Sequence, residues 1–131
     1  MWKKRYMREE KFKIIQFIRE LLYKIESELD NYPKKDIEIK NRIKTTTYDL
    51  LEQAYLANTT LDIELKKRLI EQIIAKIKVI DFLLNLSLDR ELINGKRYIK
   101  LGEKLDNITK YANGWLNSII SSKTNKTENP I

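Results

Sequence analysis

Apolar residues recur at alternating spacings of three and four along the last third of the chain. This spacing places them on one face of a helix, as in a coiled coil or a four-helix bundle. The series comprises Tyr98, Leu101, Leu105, Ile108, Ala112, Trp115 and Ile119. Lys96, Lys100 and Lys104 follow four apart on another face. The pattern predicts a helix at about 95–121 with one packing face and one cationic face.

The same spacing predicts three earlier helices, at about 8–30, 36–57 and 61–88. The first carries its main stripe at Phe12, Ile15, Leu22, Ile25 and Leu29, and the second at Ile39, Ile43, Leu50, Ala54 and Ala57. Short connections join antiparallel neighbours. The pattern therefore predicts an all-α, antiparallel up-down-up-down four-helix bundle over residues 1–121. A disordered polar tail is expected at 122–131.

Local signals predict where these helices begin and end. Proline disfavours helical geometry in the residue before it, so Pro33 ends helix one. Asp36 is a candidate N-cap for helix two, Thr59 or Thr60 for helix three, and Asn94 for helix four.

Two features inside the predicted helices need an explanation. The β-branched residues at 45–47 weaken helix propensity, and we expect them to fill a tight helix contact. Gly114 lies beside Trp115 in helix four, and we expect a neighbouring helix to approach closely there, with the indole packed over the gap.

Helix three carries two apolar stripes. One comprises Leu65, Leu69, Ile73, Ile77, Ile80 and Leu84, and the other Ile70, Ile74, Phe82, Leu83 and Leu86. A helix that is apolar over most of its circumference is buried on more than one side. Since a single bundle requires only one buried face, the second stripe is expected to contact another copy of the chain in a homo-oligomer.

Composition fits one domain with one core: 131 residues, 42% of them hydrophobic and 34% charged. Three glycines and two prolines favour long helices. The chain has no cysteine and no histidine, which excludes thiolate metal sites and removes the commonest general base. No set of acid, base and nucleophile, and no di-iron ligand set, can be named. We therefore expect a protein without catalytic activity, cofactor or metal.

Charge and hydropathy indicate the compartment and the class of partner. No apolar run is long enough for a signal peptide or a membrane span, so a cytoplasmic protein without membrane contact is expected. The net charge is +7 and the pI is about 9.5. This balance favours an anionic partner.

The basic residues form clusters with the pattern of a nucleic-acid interface. They are Lys34, Lys35, Lys40, Arg42 and Lys44 near the start of helix two, Lys96, Arg97, Lys100 and Lys104 on helix four, and Lys3, Lys4, Arg5 and Arg8 near the N-terminus. Lysine and arginine that neutralise phosphates give salt-sensitive binding with weak sequence specificity. Trp2, Tyr6 and Tyr32 could stack on bases. The alternative is an ordinary solvated surface that keeps the protein soluble.

The order of landmarks resembles a known family. It runs through Tyr32-Pro33-Lys34-Lys35, Ile39 to Ala57, Asp81-Phe82-Leu83-Leu84-Asn85-Leu86, Leu92-Ile93-Asn94, Tyr98, Leu105-Asp106-Asn107-Ile108 and Gly114-Trp115-Leu116. The chain resembles, over about residues 21–120, the accessory variability determinant (Avd) proteins of diversity-generating retroelements. These belong with the four-helix-bundle proteins named after an intervening sequence in ribosomal RNA genes.

The resemblance implies a homopentameric barrel of basic four-helix bundles. It also implies association with a reverse transcriptase and with template RNA or cDNA, in support of mutagenic reverse transcription. The family tends to carry arginines at the positions of Asp81 and Asn85, and Lys76 and Lys78 are the expected substitutes here. A different hypothesis is a protein-interaction scaffold with no nucleic-acid contact.

Overall fold

The computed structural model describes residues 10–29 and 31–128, with side chains described for 13–29 and 31–122. The described residues form four α-helices: α1 (Glu10–Glu28), α2 (Ile37–Thr59), α3 (Ile63–Asp89) and α4 (Gly95–Glu128). A single 3-10 turn, Lys34–Asp36, precedes α2. The described residues contain no strand. The predicted all-helical fold is therefore confirmed; the predicted limits of helix one, Arg8 and Asp30, lie outside the described residues.

Each helix packs against two others. α1 contacts α2 and α4, and α3 contacts α2 and α4. The side chains between them form one core that is rich in isoleucine and leucine. Its fully buried members include Ile14, Ile18, Leu21 and Ile25 of α1, Ile43 and Leu50 of α2, Ile70, Ile73, Ile80 and Leu84 of α3, and Leu101 and Ile108 of α4. The chain thus forms a four-helix bundle.

Two threonines of α2 lie inside the bundle. Thr46 and Thr47 are buried, and the Thr47 hydroxyl donates to the Ile43 carbonyl oxygen at 2.8 Å. That bond satisfies a polar group that would be costly to bury unpaired. Thr46 and Thr47 are thus buried inside the bundle as expected, whereas Thr45 is exposed.

The helix ends use caps that differ in part from those expected. Asp36 precedes α2 but makes no side-chain cap bond. At α3 the cap is Asp62, whose Oδ1 accepts from the Leu65 amide at 3.2 Å, rather than Thr59 or Thr60. Asn94 caps α4 as predicted, with Oδ1 accepting from the Arg97 amide at 2.8 Å.

The turn between α3 and α4 is a Schellman motif on a residue other than glycine. The Leu92 amide donates to the Ser87 carbonyl at 2.8 Å, and the Glu91 amide donates to the Leu88 carbonyl at 3.0 Å. Glu91 has φ 59°, in the left-handed region where this motif usually has glycine. The helix C-terminus is therefore satisfied at the expense of an unfavourable backbone conformation.

α4 continues beyond its predicted end at Ser121. It extends to Glu128, so most of the segment 122–131 is helical rather than a disordered tail. The segment between Ser121 and Glu128 contains neither glycine nor proline, and the first helix breaker is Pro130. Residues 129–131 lie outside the described part of the chain.

Gly114 does not mark a close helix contact. The residue is exposed, and a Cβ built on it meets no atom within 4 Å. Trp115 is buried in the core, but no helix occupies the space at Gly114. The expected close approach is therefore wrong.

We predict that Gly114→Ala stabilises the protein. Alanine loses less conformational entropy than glycine in a helix interior, which corresponds to about 0.5–1 kcal/mol. Urea unfolding followed by circular dichroism measures the change in the free energy of unfolding. Ala112→Gly, at a buried position in the same turn, should destabilise instead. A loss of stability in Gly114→Ala would show that a neighbouring group does occupy this space.

Candidate nucleic-acid interface

Three side-chain contacts join the α1–α2 connection to the α3–α4 turn at one end of the bundle. The Tyr32 hydroxyl donates to Ser87 Oγ at 2.7 Å. Arg90 Nη1 donates to Asp36 Oδ1 at 2.9 Å. Arg97 Nη1 donates to the Glu28 carbonyl oxygen at 3.2 Å. These contacts place the basic residues of two separate sequence segments at the same end.

The Tyr32–Ser87 contact is buried. Tyr32 donates to Ser87, which in turn donates to the Leu83 carbonyl oxygen at 2.8 Å. Burial raises the pKa of the Tyr32 phenol above its ordinary value; the Ser87 hydrogen bond opposes this rise and the Asp36 charge adds to it. Because its ring is buried, Tyr32 is not available to stack on a base as the sequence suggested.

The Asp36–Arg90 pair is asymmetric. The Asp36 side chain is only 4% exposed, whereas that of Arg90 is 53% exposed. A buried carboxylate needs a cation or hydrogen-bond donors to offset its lost hydration. Arg90 supplies both to the residue that directly precedes α2.

The residues around this joined end carry an excess of positive charge. Segments 31–40 and 89–100 contain seven basic and four acidic residues, which gives a local net charge of +3. We call the basic residues of this end the cationic end: Lys34, Lys35, Lys40, Arg90, Lys96, Arg97 and Lys100. Lys34, Lys35, Lys96 and Lys100 are exposed, and Lys40 is half-buried.

The remaining predicted cations are placed differently. Lys44 pairs with Glu26 at 3.3 Å, and Lys104 pairs with Glu20 at 3.7 Å. Arg42 is exposed on α2. In each pair the neighbouring carboxylate offsets the positive potential of the lysine, so Lys44 and Lys104 attract a phosphate less strongly than an unpaired lysine would.

Lys76 and Lys78 lie away from the cationic end. They precede Ser87 by about three turns of α3, which corresponds to roughly 15 Å at 1.5 Å per residue. Lys78 is exposed and Lys76 is half-buried.

Asp81 and Asn85 are the two positions where the family that the sequence resembles tends to carry arginine. The Tyr98 hydroxyl donates to Asn85 Oδ1 at 2.8 Å, and Asn85 Nδ2 donates to the Asp81 carbonyl oxygen at 2.9 Å. Asn85 therefore links α3 to α4. Asp81 itself is exposed.

The side chains of the second apolar stripe of α3 differ in exposure, and not all of them face solvent. Phe82 is 63% exposed, while Ile74, Leu83 and Leu86 are half-buried. Ile70 is fully buried and belongs to the core rather than to an outward face. It lies seven residues before Ile77 on the same face, so two turns of helix bring it back to the inward side.

Sequence reasoning missed two surface features. It did not select Arg90, because the partner that positions this side chain is 54 residues away in the sequence. It also passed over an exposed strip on α2 that includes Tyr48, Tyr55 and Leu56. Tyr48, Leu51 and Tyr55 are spaced by three and four residues, and this spacing could have identified a second apolar face on helix two.

The N-terminal basic cluster and two of the candidate stacking residues lie outside the described part of the chain. They are Lys3, Lys4, Arg5 and Arg8, with Trp2 and Tyr6. Among the described residues, no group of three or more potential ligands is arranged to hold a metal ion. Within that same part, no helix is long and apolar enough to span a membrane.

Comparisons with protein-family models, with curated proteins and with solved structures found no match. The geometry of the cationic end and the resemblance noted in the sequence are therefore the basis for a functional proposal.

We predict that Arg90→Met destabilises the bundle. The substitution leaves the Asp36 carboxylate buried without its cation, and such a loss costs about 1–3 kcal/mol. Urea unfolding at neutral pH measures the cost, and adding Asp36→Asn to Arg90→Met should recover part of it. Arg42→Met, at an exposed position, is the control and should change stability by less than about 0.5 kcal/mol. Equal effects of the two single substitutions would contradict a specific role for the pair.

Proposed function

We propose that this protein is a cytoplasmic, non-catalytic accessory subunit of a diversity-generating retroelement. In this role it binds the reverse transcriptase and holds template RNA or cDNA at the cationic end during mutagenic copying. The observation that carries the proposal is the joining of two basic segments at one end of the bundle by the Tyr32–Ser87, Asp36–Arg90 and Glu28–Arg97 contacts. The family resemblance supplies the biological context.

The arrangement of the helices in this proposal is up-down-up-down. Two contacts between α1 and α4 support it: Glu28 meets Arg97, and Glu20 meets Lys104. Later positions of α1 thus pair with earlier positions of α4, as expected for antiparallel neighbours.

The proposed assembly is a homopentameric barrel in which α3 contributes to the contact between copies. Phe82, with Leu83, Leu86 and Ile74 beside it, supports this role because a large exposed apolar side chain is stabilised by burial in an interface. Ile70 is excluded from the proposed interface by its burial in the core.

Reversing the charge of the cationic end tests the nucleic-acid role. We expect Lys34→Glu, Lys35→Glu, Lys96→Glu and Lys100→Glu together to weaken binding of a fluorescein-labelled single-stranded RNA by at least about tenfold at low salt. Fluorescence anisotropy over a series of KCl concentrations measures affinity. The salt dependence should also become shallower, since each phosphate contact contributes about −0.7 to the logarithmic slope for single strands.

The matched control changes the same amount of charge elsewhere. It combines Arg19→Glu, Lys67→Glu, Arg68→Glu and Lys110→Glu, at exposed or half-buried positions outside the cationic end and outside the other predicted nucleic-acid contacts. Equal loss of RNA binding in both variants would assign the effect to overall charge and reject a defined site. The protein-interaction scaffold, which the exposed apolar residues favour, predicts no RNA binding in the unmodified protein and retention of its protein partner in both variants.

The assembly is tested by sedimentation velocity at micromolar concentration. We expect the unmodified chain to sediment as an oligomer and Phe82→Lys to shift it toward the monomer, because a buried unpaired charge opposes association. Tyr23→Lys is the control, since Tyr23 is 71% exposed on α1, outside the proposed contact. A monomer in the unmodified protein would reject the assembly.

A further inference from the structure

The segment from Thr45 to Leu65 differs in charge from the rest of the chain. Its 21 residues contain four acidic residues and no lysine or arginine, so it carries −4 in a protein of net charge +7. The remaining residues therefore carry +11. Asp49 and Glu52 are exposed on α2, and neither forms an ion pair within the described part of the chain.

The same segment is rich in exposed apolar side chains. It holds half of the large hydrophobic residues that are exposed in the described part of the chain, although it makes up only about a fifth of that part. They are Tyr48, Tyr55, Leu56, Leu61, Ile63 and Leu65, which are between 38% and 95% exposed. Apolar surface that clusters in this way, with charge at its edge, is typical of protein interaction sites.

Three of these residues, Tyr48, Tyr55 and Leu56, lie on α2 and belong to one strip on its surface, which we call the α2 strip. The strip lines a shallow open groove formed by Tyr48, Leu51, Glu52, Tyr55, Leu56 and Thr59. Each of these residues has another member of the set three or four positions away, so all six share one side of the helix. Tyr48 and Tyr55 are two turns apart, which corresponds to about 10.5 Å along the axis. Apolar anchors at positions i and i+7 of a partner helix have the same separation.

We propose that this α2 strip is a docking surface for an amphipathic helix of another protein that carries leucine or aromatic anchors flanked by lysine or arginine. Charge complementarity determines the choice of partner. Asp49 and Glu52 attract cationic flanks, and the faces of Tyr48 and Tyr55 accept a guanidinium or ammonium group by cation–π contact. The positive surface elsewhere on the chain repels the same partner.

The inference does not depend on the proposed nucleic-acid role. A phosphate backbone requires the cationic end, whereas the α2 strip repels phosphate and accepts cations. The two surfaces can therefore be impaired separately.

A cationic peptide tests the proposal on the full chain. The probe is a fluorescein-labelled peptide of leucine and lysine arranged as an amphipathic helix, and a peptide of the same composition in scrambled order is the negative probe. We expect the amphipathic peptide to bind, and Asp49→Lys with Glu52→Lys to weaken its binding by about tenfold or more. Tyr48→Ala with Tyr55→Ala should weaken it by at least about fivefold.

The matched charge control is Glu103→Lys with Asp106→Lys, at exposed positions of α4, and it should leave peptide binding within about twofold. RNA binding should persist in both α2 variants, and peptide binding should persist in the variant with a reversed cationic end. If the unmodified protein binds the peptide but does not bind RNA, the proposed function is rejected and this inference stands.

Several results would overturn the inference. These are unchanged peptide binding in both α2 variants, or equal binding of the scrambled peptide. If the protein binds no peptide but associates with itself, and Tyr48→Ala with Tyr55→Ala abolishes that association, the occupant is a second copy of the chain. If the labelled peptide binds only after the substitutions Lys3→Ser, Lys4→Ser and Arg5→Ser, the chain's own first residues are the occupant of the strip.

Discussion

The apolar stripes of the four helices are shielded from water only when every helix has two neighbours, and the other features of the protein depend on this constraint. A fully buried leucine or isoleucine contributes about 1.5–3 kcal/mol relative to an exposed one, and each helix supplies several. Polar residues are consequently left to the outer faces and to the ends of the helices. The basic connections lie at one of those ends.

The polar contacts at the cationic end depend on that closure. Tyr32 and Ser87 are 55 residues apart in the sequence, and Glu28 and Arg97 are 69 apart. Neither pair can form before the helices that carry them are packed. Once formed, these contacts hold two basic segments side by side, which no single segment of the sequence would achieve. The α2 strip lies outside this set of contacts, and for that reason its acidic and apolar residues remain available to a partner.

The fold was largely predictable from the sequence, because periodic apolar residues such as Ile73, Ile77 and Ile80 report directly on the buried face of a helix. The placement of the cations was only partly predictable. Spacing put Lys44 and Lys104 on helix faces but could not reveal that Glu26 and Glu20 of α1 would pair with them. Such partners come from other helices and depend on tertiary register. Gly114 shows the converse error, since a glycine inside a helix suggested a contact that the neighbouring helices do not make.

Glu91, which has a left-handed backbone conformation, lies at the cationic end. A residue with a Cβ loses about 1–2 kcal/mol in this conformation, and glycine would avoid the loss. Natural sequences depart from local backbone preference chiefly where something other than stability is at stake. The turn that positions Arg90 thus lowers the stability of the fold locally, and the buried core of the bundle offsets that cost.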